Sequence, residues 1–169
     1  MSDWLELFNA YRALAQHFVS VLLAAAIWRW GGSPERWLIG IFFGAMVLPV
    51  YIFKWLGLGH AMEVGPYAPI VTLIDLGAAI LFIGVALHAN RIYPPWIAGF
   101  QLVAVGGHLV RSLIDSVSPL AVALLVIGPS YCQLLLLFVG FVGHVQRERR
   151  FGQYRAWRPT PPGLRGLRL

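Results

Sequence analysis

The sequence predicts an all-α integral membrane protein, a helical bundle of about five transmembrane helices, and three observations predict it. Of 169 residues, 59% are hydrophobic and only 12% charged, and the mean hydropathy is +0.71. That is more apolar surface than a soluble domain of this size can hide in one core. The apolar residues are gathered into five runs, 13–30, 37–56, 69–88, 96–114 and 119–145. A hydrocarbon layer about 30 Å thick needs roughly 20 helical residues at about 1.5 Å each, so each run reads as a span. Seven of the thirteen basic residues then fall after Gln146, the pattern of a chain whose last span ends in a charged segment. Membrane β-strands alternate apolar and polar residues. The stretches 120–127 and 134–139 are apolar throughout, which excludes a barrel.

The organisation is therefore an N-terminal segment 1–12, a transmembrane domain 13–145 and a basic tail 146–169. In the first, Asp3 and Glu6 stand three apart in a capping arrangement, and Trp4, Leu7, Phe8 and Tyr11 share one helical face. This reads either as an interfacial amphipathic helix or as an extension of the first span into the headgroups. Acidic residues here, where a cleavable signal would be cationic, make the first span a retained anchor. The connections 31–36, 57–68, 89–95 and 115–118 are short, so successive helices are expected to be antiparallel neighbours. Pro49 and Pro129 fall inside the second and fifth runs and should kink them. Trp28, Trp30, Trp37, Trp55 and Trp96 sit near span ends, where amphipathic rings favour the headgroup layer. No internal repeat is visible, and an odd number of spans disfavours a carrier built from two inverted halves.

Basic residues beside a span resist translocation, which assigns the tail to the cytoplasm and the N-terminus to the outside. The loops agree. Arg29, Arg36, Arg91 and the seven tail arginines then lie inside, against Arg12, Lys54 and Arg111 outside. The net charge of +6 is thus concentrated beside the membrane. It points to anionic lipid or a partner subunit docking on Arg147, Arg149, Arg150, Arg155, Arg158, Arg165 and Arg168, and not to nucleic acid. The single cysteine, Cys132, excludes an intrachain disulfide and a cysteine metal cluster.

Ionisable groups at membrane depth are costly and therefore candidates for function. Asp75 lies roughly 9 Å inside the outer end of the third run, and the antiparallel fourth run brings His108 to similar depth with Arg111 one turn away. Gln101, His108, Arg111 and Asp115 fall within an arc of roughly 80° on one helix face, a polar stripe that should face the bundle. Gln101 and Gln133 share a depth at which they can hydrogen-bond, and Gly106 with Gly107 would admit a close neighbour. The commonest use of such residues is a structural network fixing helix register; a proton or ion pathway is the sharper alternative. A b-type haem needs imidazoles from two helices at matching depth. His17 with His108, and His88 with His144 beside Gly84, Gly140 and Gly143, meet that requirement. Histidines near span ends also commonly bind water or headgroups. No catalytic motif, such as HExxH, GxSxG or a phosphate loop, is present.

Tyr93-Pro94-Pro95-Trp96-Ile97, Gly107-His108, Pro129-Ser130-Tyr131 and Phe151-Gly152-x-Tyr154-Arg155-x-Trp157 give most of the chain a resemblance to small polytopic inner-membrane proteins of alphaproteobacteria. The resemblance implies a bacterial inner-membrane setting and carries over no catalytic residue. The expectation is a non-catalytic accessory or assembly subunit, or a homo-oligomer, working through lipid-level faces and its basic tail. The alternatives are a small b-type haem electron-transfer protein and a proton- or ion-linked transport element.

Overall fold

A computed structural model describes residues 2–57, 68–113, 124–125, 127–152 and 155–158, without the side chains of 2–10, 13, 68 and 111–113. The chain is all-α, and its described residues form five helical rods: α1 (Ser2–Trp30), a rod of three joined pieces, α4 (Ala68–His88), α5 (Pro94–Leu113) and α6 (Gly128–Phe151). The second rod consists of α2 (Ser33–Phe42), a π-helical segment Phe43–Val47 and α3 (Leu48–Trp55). Three of the five, Ser33–Trp55, Pro69–His88 and Gly128–Phe151, are long and apolar enough to cross a membrane. In α1 the apolar portion is the shorter Leu14–Trp30, and α5 is made less apolar by its polar stripe.

The rods close a ring in the order α1, α2, α4, α5, α6 and back to α1, with α2 also touching α6 across the middle. Two-residue and five-residue connections (31–32 and 89–93) force the antiparallel reversals. Gly31 is needed at the first: a Cβ there would lie 2.5 Å from the Ile27 carbonyl oxygen. One end of the bundle collects Arg29, Arg36, Arg91 and the arginines of α6, and is here called the basic end. The opposite end holds Arg12 and Lys54.

Three layers lie between these ends. A dry central layer consists of Ile27, Leu38, Phe42, Phe82, Ile97 and Leu137, none with accessible surface. Toward the opposite end lies a polar layer of Asp75, Gln101, His108, Ser130 and Gln133. Toward the basic end lies a second, around Glu35, Arg91, Tyr93 and His144, all buried. The outward surface is apolar, with Phe18, Trp28, Leu73, Ile80, Leu87, Leu135 and Phe138 all more than half exposed, as lipid contact requires.

Of the two readings of the N-terminal segment, the structure has the continuous one: residues 2–12 and the first apolar run are one helix, α1, unbroken to Trp30; at about 43 Å it exceeds the hydrocarbon thickness and must tilt or project. Other local expectations are corrected. Pro49 is accommodated by the π segment, in which the Leu48 N–H reaches back five residues to the Phe43 carbonyl. Pro129 causes no kink: it occupies the first turn of α6, where its missing N–H has no intrahelical partner to lose. Nothing approaches within 4 Å of a Cβ built on Gly106, so that glycine does not serve close packing within the bundle. α6 also continues past Val145 to Phe151, placing Arg147, Arg149 and Arg150 on a helix. The expected loop at 115–118 and the tail beyond Arg158 lie outside the described residues.

Candidate functional site

The polar layer is assembled from three helices. α4 supplies Asp75, α5 supplies Gln101 and His108 two turns apart on one face, and α6 supplies Gln133. Gln101 Nε2 donates to Asp75 Oδ1 at 3.0 Å and to the Asp75 carbonyl at 3.2 Å. Gln133 Nε2 donates to Gln101 Oε1 at 2.9 Å and to the Ile97 carbonyl at 3.1 Å. The amide chain thus hands its donors in one direction, from α6 through α5 to the carboxylate on α4. Both glutamines are wholly buried, which fixes the rotation of three helices, since misalignment would strand amides in hydrocarbon.

The second carboxylate oxygen is served differently. Asp75 Oδ2 lies 2.9 Å from His108 Nε2, an ion-pair distance, yet the ring nitrogen is off the hydrogen-bond direction and has no aligned partner. Gln133 Oε1 is likewise buried without a donor. Both residues line a cavity of about 170 Å³ with Asp75, Gln101, Ser130 and Pro49. A water needs 2–4 polar partners and a fraction of that volume, so the cavity is roomy and polar enough to hold water. Its far wall carries Ala45 and Met46 of the π segment. Ser130 Oγ donates to the Ile127 carbonyl at 2.7 Å and accepts from Gln16 Nε2 at 2.9 Å, tying α1 to the same layer.

A proton shared by a carboxylate and an imidazole in contact can sit on either partner: Asp⁻ with HisH⁺, or AspH with neutral His. Both arrangements are neutral overall, so a shift of the proton between the two groups leaves no net charge in the membrane, whereas its release to cavity water leaves one negative charge on the pair.

The remaining candidates are dispersed. Arg111 lies on α5 within the described backbone only, and Asp115, Arg165 and Arg168 lie outside the described residues. The four histidines weighed as haem ligands, His17, His88, His108 and His144, have separate neighbours. His17 packs on the Tyr51 ring at 5.4 Å between centroids, and His108 faces Asp75. Exposed His88 bonds the Gly84 carbonyl of its own helix at 2.8 Å, and His144 meets Glu148 at 3.4 Å. The Asp75 cavity is lined by one histidine, so a haem there would lack a second axial imidazole. No cluster of three or more His, Cys, Asp or Glu suited to a metal ion occurs among the described residues. Of the tail arginines, Arg147 bonds the Gly143 carbonyl of its own helix at 3.0 Å, while Arg149, Arg150, Arg155 and Arg158 are exposed.

The second polar layer escaped the reading of depths. Glu35 Oε1 accepts from Arg91 Nε at 3.2 Å and from the Tyr93 hydroxyl at 3.0 Å, in the first turn of α2 where negative charge suits the helix dipole. Glu35 Oε2 has no hydrogen-bond partner and crowds Gly32, where an added Cβ would stand 2.6 Å from it and 2.9 Å from the His144 ring. The segment 155–158 folds back over this layer. Ala89 and Trp157 form an antiparallel bridge, the Asn90 and Arg158 N–H groups bond the Ala156 and His88 carbonyls, and Trp157 Nε1 donates to Ser33 Oγ at 2.9 Å. Gly152, at φ 69°, permits the reversal after α6. The sequence signal was available in Tyr93-Pro94-Pro95 and in Trp157, but without a spatial partner for either. Compared with protein families, with characterised proteins and with solved structures, the chain matches none.

Proposed function

We propose that this chain is a multi-pass protein of the bacterial inner membrane, N-terminus outside and basic end in the cytoplasm, acting as a proton-linked element within a larger membrane assembly. The observation that carries the reading is the Asp75–His108 contact inside a polar cavity at membrane depth, since intramembrane acid–base pairs recur in proton relays. The dry layer decides which kind. On α5, Ile97 lies one turn from Gln101 toward the basic end, and on α6 Leu137 is one turn from Gln133. Both are wholly buried, so among the described residues an apolar layer separates the pair from the basic end. The pair therefore binds and releases a proton on one side and is not a conducting pore. The test is infrared difference spectroscopy of the purified protein across a pH titration. A protonated-carboxyl band should be present in the wild type and absent in Asp75→Asn, while proteoliposomes show no passive proton leak. A band untouched by Asp75→Asn would sink the reading.

A second reading, an accessory subunit that docks partners at its basic end, is supported by the folded-back segment 155–158, which presents exposed Arg155 and Arg158 on a fixed backbone. Co-purification from native membranes tests it: Arg155→Glu/Arg158→Glu should release a partner that the wild type retains.

A further inference from the structure

A second, larger groove lies on the outer face of the bundle and shares Ala45 and Ile74 with the wall of the Asp75 cavity. It is a groove of about 700 Å³ between α2, the π segment and α4, floored by Gly40, Gly44, Ala45, Gly77 and Ala78, with Trp28, Ser33, Arg36 and Trp37 at its basic end. Glycine inside a helix costs about 1 kcal/mol relative to alanine, so three in one groove call for a reason. Close packing within the bundle is not that reason, since a Cβ built on Gly40, Gly44 or Gly77 meets no atom within 4 Å. These glycines keep space open toward lipid.

From this we infer that the groove is a binding site for one anionic phospholipid of the leaflet at the basic end, an acyl chain lying over Gly40, Gly44 and Gly77 and the phosphate held by Arg36 and Ser33. Length supports a lipid over a helix. From Arg36 to Ala45 is about 14 Å along the axis, one leaflet of a layer about 30 Å thick, whereas a docking helix would use a groove along the whole span. Charge supports an anion. Arg36 is exposed and pairs with no described acidic residue. The Ser33 hydroxyl, which accepts from Trp157, keeps its own proton to donate. A second copy of this chain would bring further arginines to the same rim, whereas basic pockets between helices suit anionic headgroups. Trp28 and Trp37 flank the mouth where indole rings favour the headgroup layer. The site stands independently of the proton reading.

Native mass spectrometry of the full chain, released from nanodiscs of phosphatidylglycerol and phosphatidylcholine mixed equally, tests this. The wild type should retain one phosphatidylglycerol in preference to phosphatidylcholine. Arg36→Gln should reduce that preference about fivefold, the value of one basic residue at a membrane surface. Gly40→Leu and, on the facing helix, Gly77→Leu should each abolish retention with the melting temperature unchanged. Gly99→Leu, on a glycine with equally free space outside the groove, should change nothing. Equal retention of the two lipids, retention that survives both leucines, or a dimer that those leucines dissociate would each overturn the assignment.

Discussion

Burial of a carboxylate among apolar helices is tolerated only with partners, and Glu35 depends on two that come from one connection. Arg91 and Tyr93 both reach its Oε1, and Glu35 and Arg91 are almost fully shielded. Removing one charge of a buried pair strands the other, which costs about 3–5 kcal/mol. Arg91→Met should therefore lower unfolding stability in detergent by that order, and Glu35→Gln by less, since an uncharged amide remains. The double variant should cost less than the sum; additive losses in this cycle would mean the pair is not coupled. Gly140 is a sharper steric case. A Cβ there would fall 2.5 Å from the Tyr93 ring, so Gly140→Ala should push Tyr93 off Glu35 and cost about 1–3 kcal/mol, the usual range for overpacking. A melting temperature equal to that of the wild type would show that the ring moves freely. None of this was legible in the sequence. Glu35 and Arg91 are 56 residues apart, each in a stretch that reads as a charged connection, and counting depth along helices says nothing of a connection that folds inward. Gln101 and Gln133 were legible for the opposite reason: both sit on regular helices whose rise of about 1.5 Å per residue gives their depth. The partner of Asp75 was only half legible. Depth admits both His108 and Arg111, one turn apart; the rotation of α5 brings His108 to the carboxylate, while the Arg111 side chain lies outside the described residues.

At the level of elements, helix ends were readable where composition changes abruptly and were missed where backbone geometry decides. α4 ends at His88 and α3 at Trp55, beside Ala89-Asn90 and Gly57, as the apolar runs indicated. The fifth run gave no hint that a described helix begins only at Gly128 and continues to Phe151, because helix propensity in Gln146-Arg147-Glu148-Arg149-Arg150 carries the rod onward after hydrophobicity has ended. The reversal that follows rests on Gly152 at φ 69°, ψ −155°, a region essentially confined to glycine where a Cβ is strained by about 1–3 kcal/mol. Gly152→Ala should consequently loosen 155–158 from the α4–α5 connection without unfolding the bundle. Limited trypsin digestion reads this directly: cleavage after Arg155 should speed up in Gly152→Ala and in Trp157→Ala, with helix content by circular dichroism unchanged. Equal digestion rates would show that the Trp157–Ser33 bond does not hold the segment.

For the whole molecule, the decisive asymmetry is charge against the membrane normal. α1 carries Arg12 toward one end and Arg29 toward the other; Lys54 joins the first, while Arg36, Arg91, Arg147, Arg149, Arg150, Arg155 and Arg158 join the second. The fold converts a count over loops into a spatial arrangement, because the antiparallel reversals at 31–32 and 89–93 and the return of 155–158 place those residues on one rim. Translocating that rim would carry many more cations across than leaving it in place, which supports the proposed orientation of the bundle as a unit. With Cys132→Ser as background, a single cysteine at exposed Leu56 should react with a membrane-impermeant maleimide on intact spheroplasts. One at exposed Arg155 should react only after lysis. In the proposed orientation the Asp75 cavity lies toward the outer side: Asp75 is about 10 Å from the Ala68 end of α4 and about 20 Å from the His88 end, with the apolar layer on the His88 side, so the proposed proton site would draw from outside the cell. Labelling in the reverse order would turn the bundle over, and the proton site would then draw from the cytoplasm.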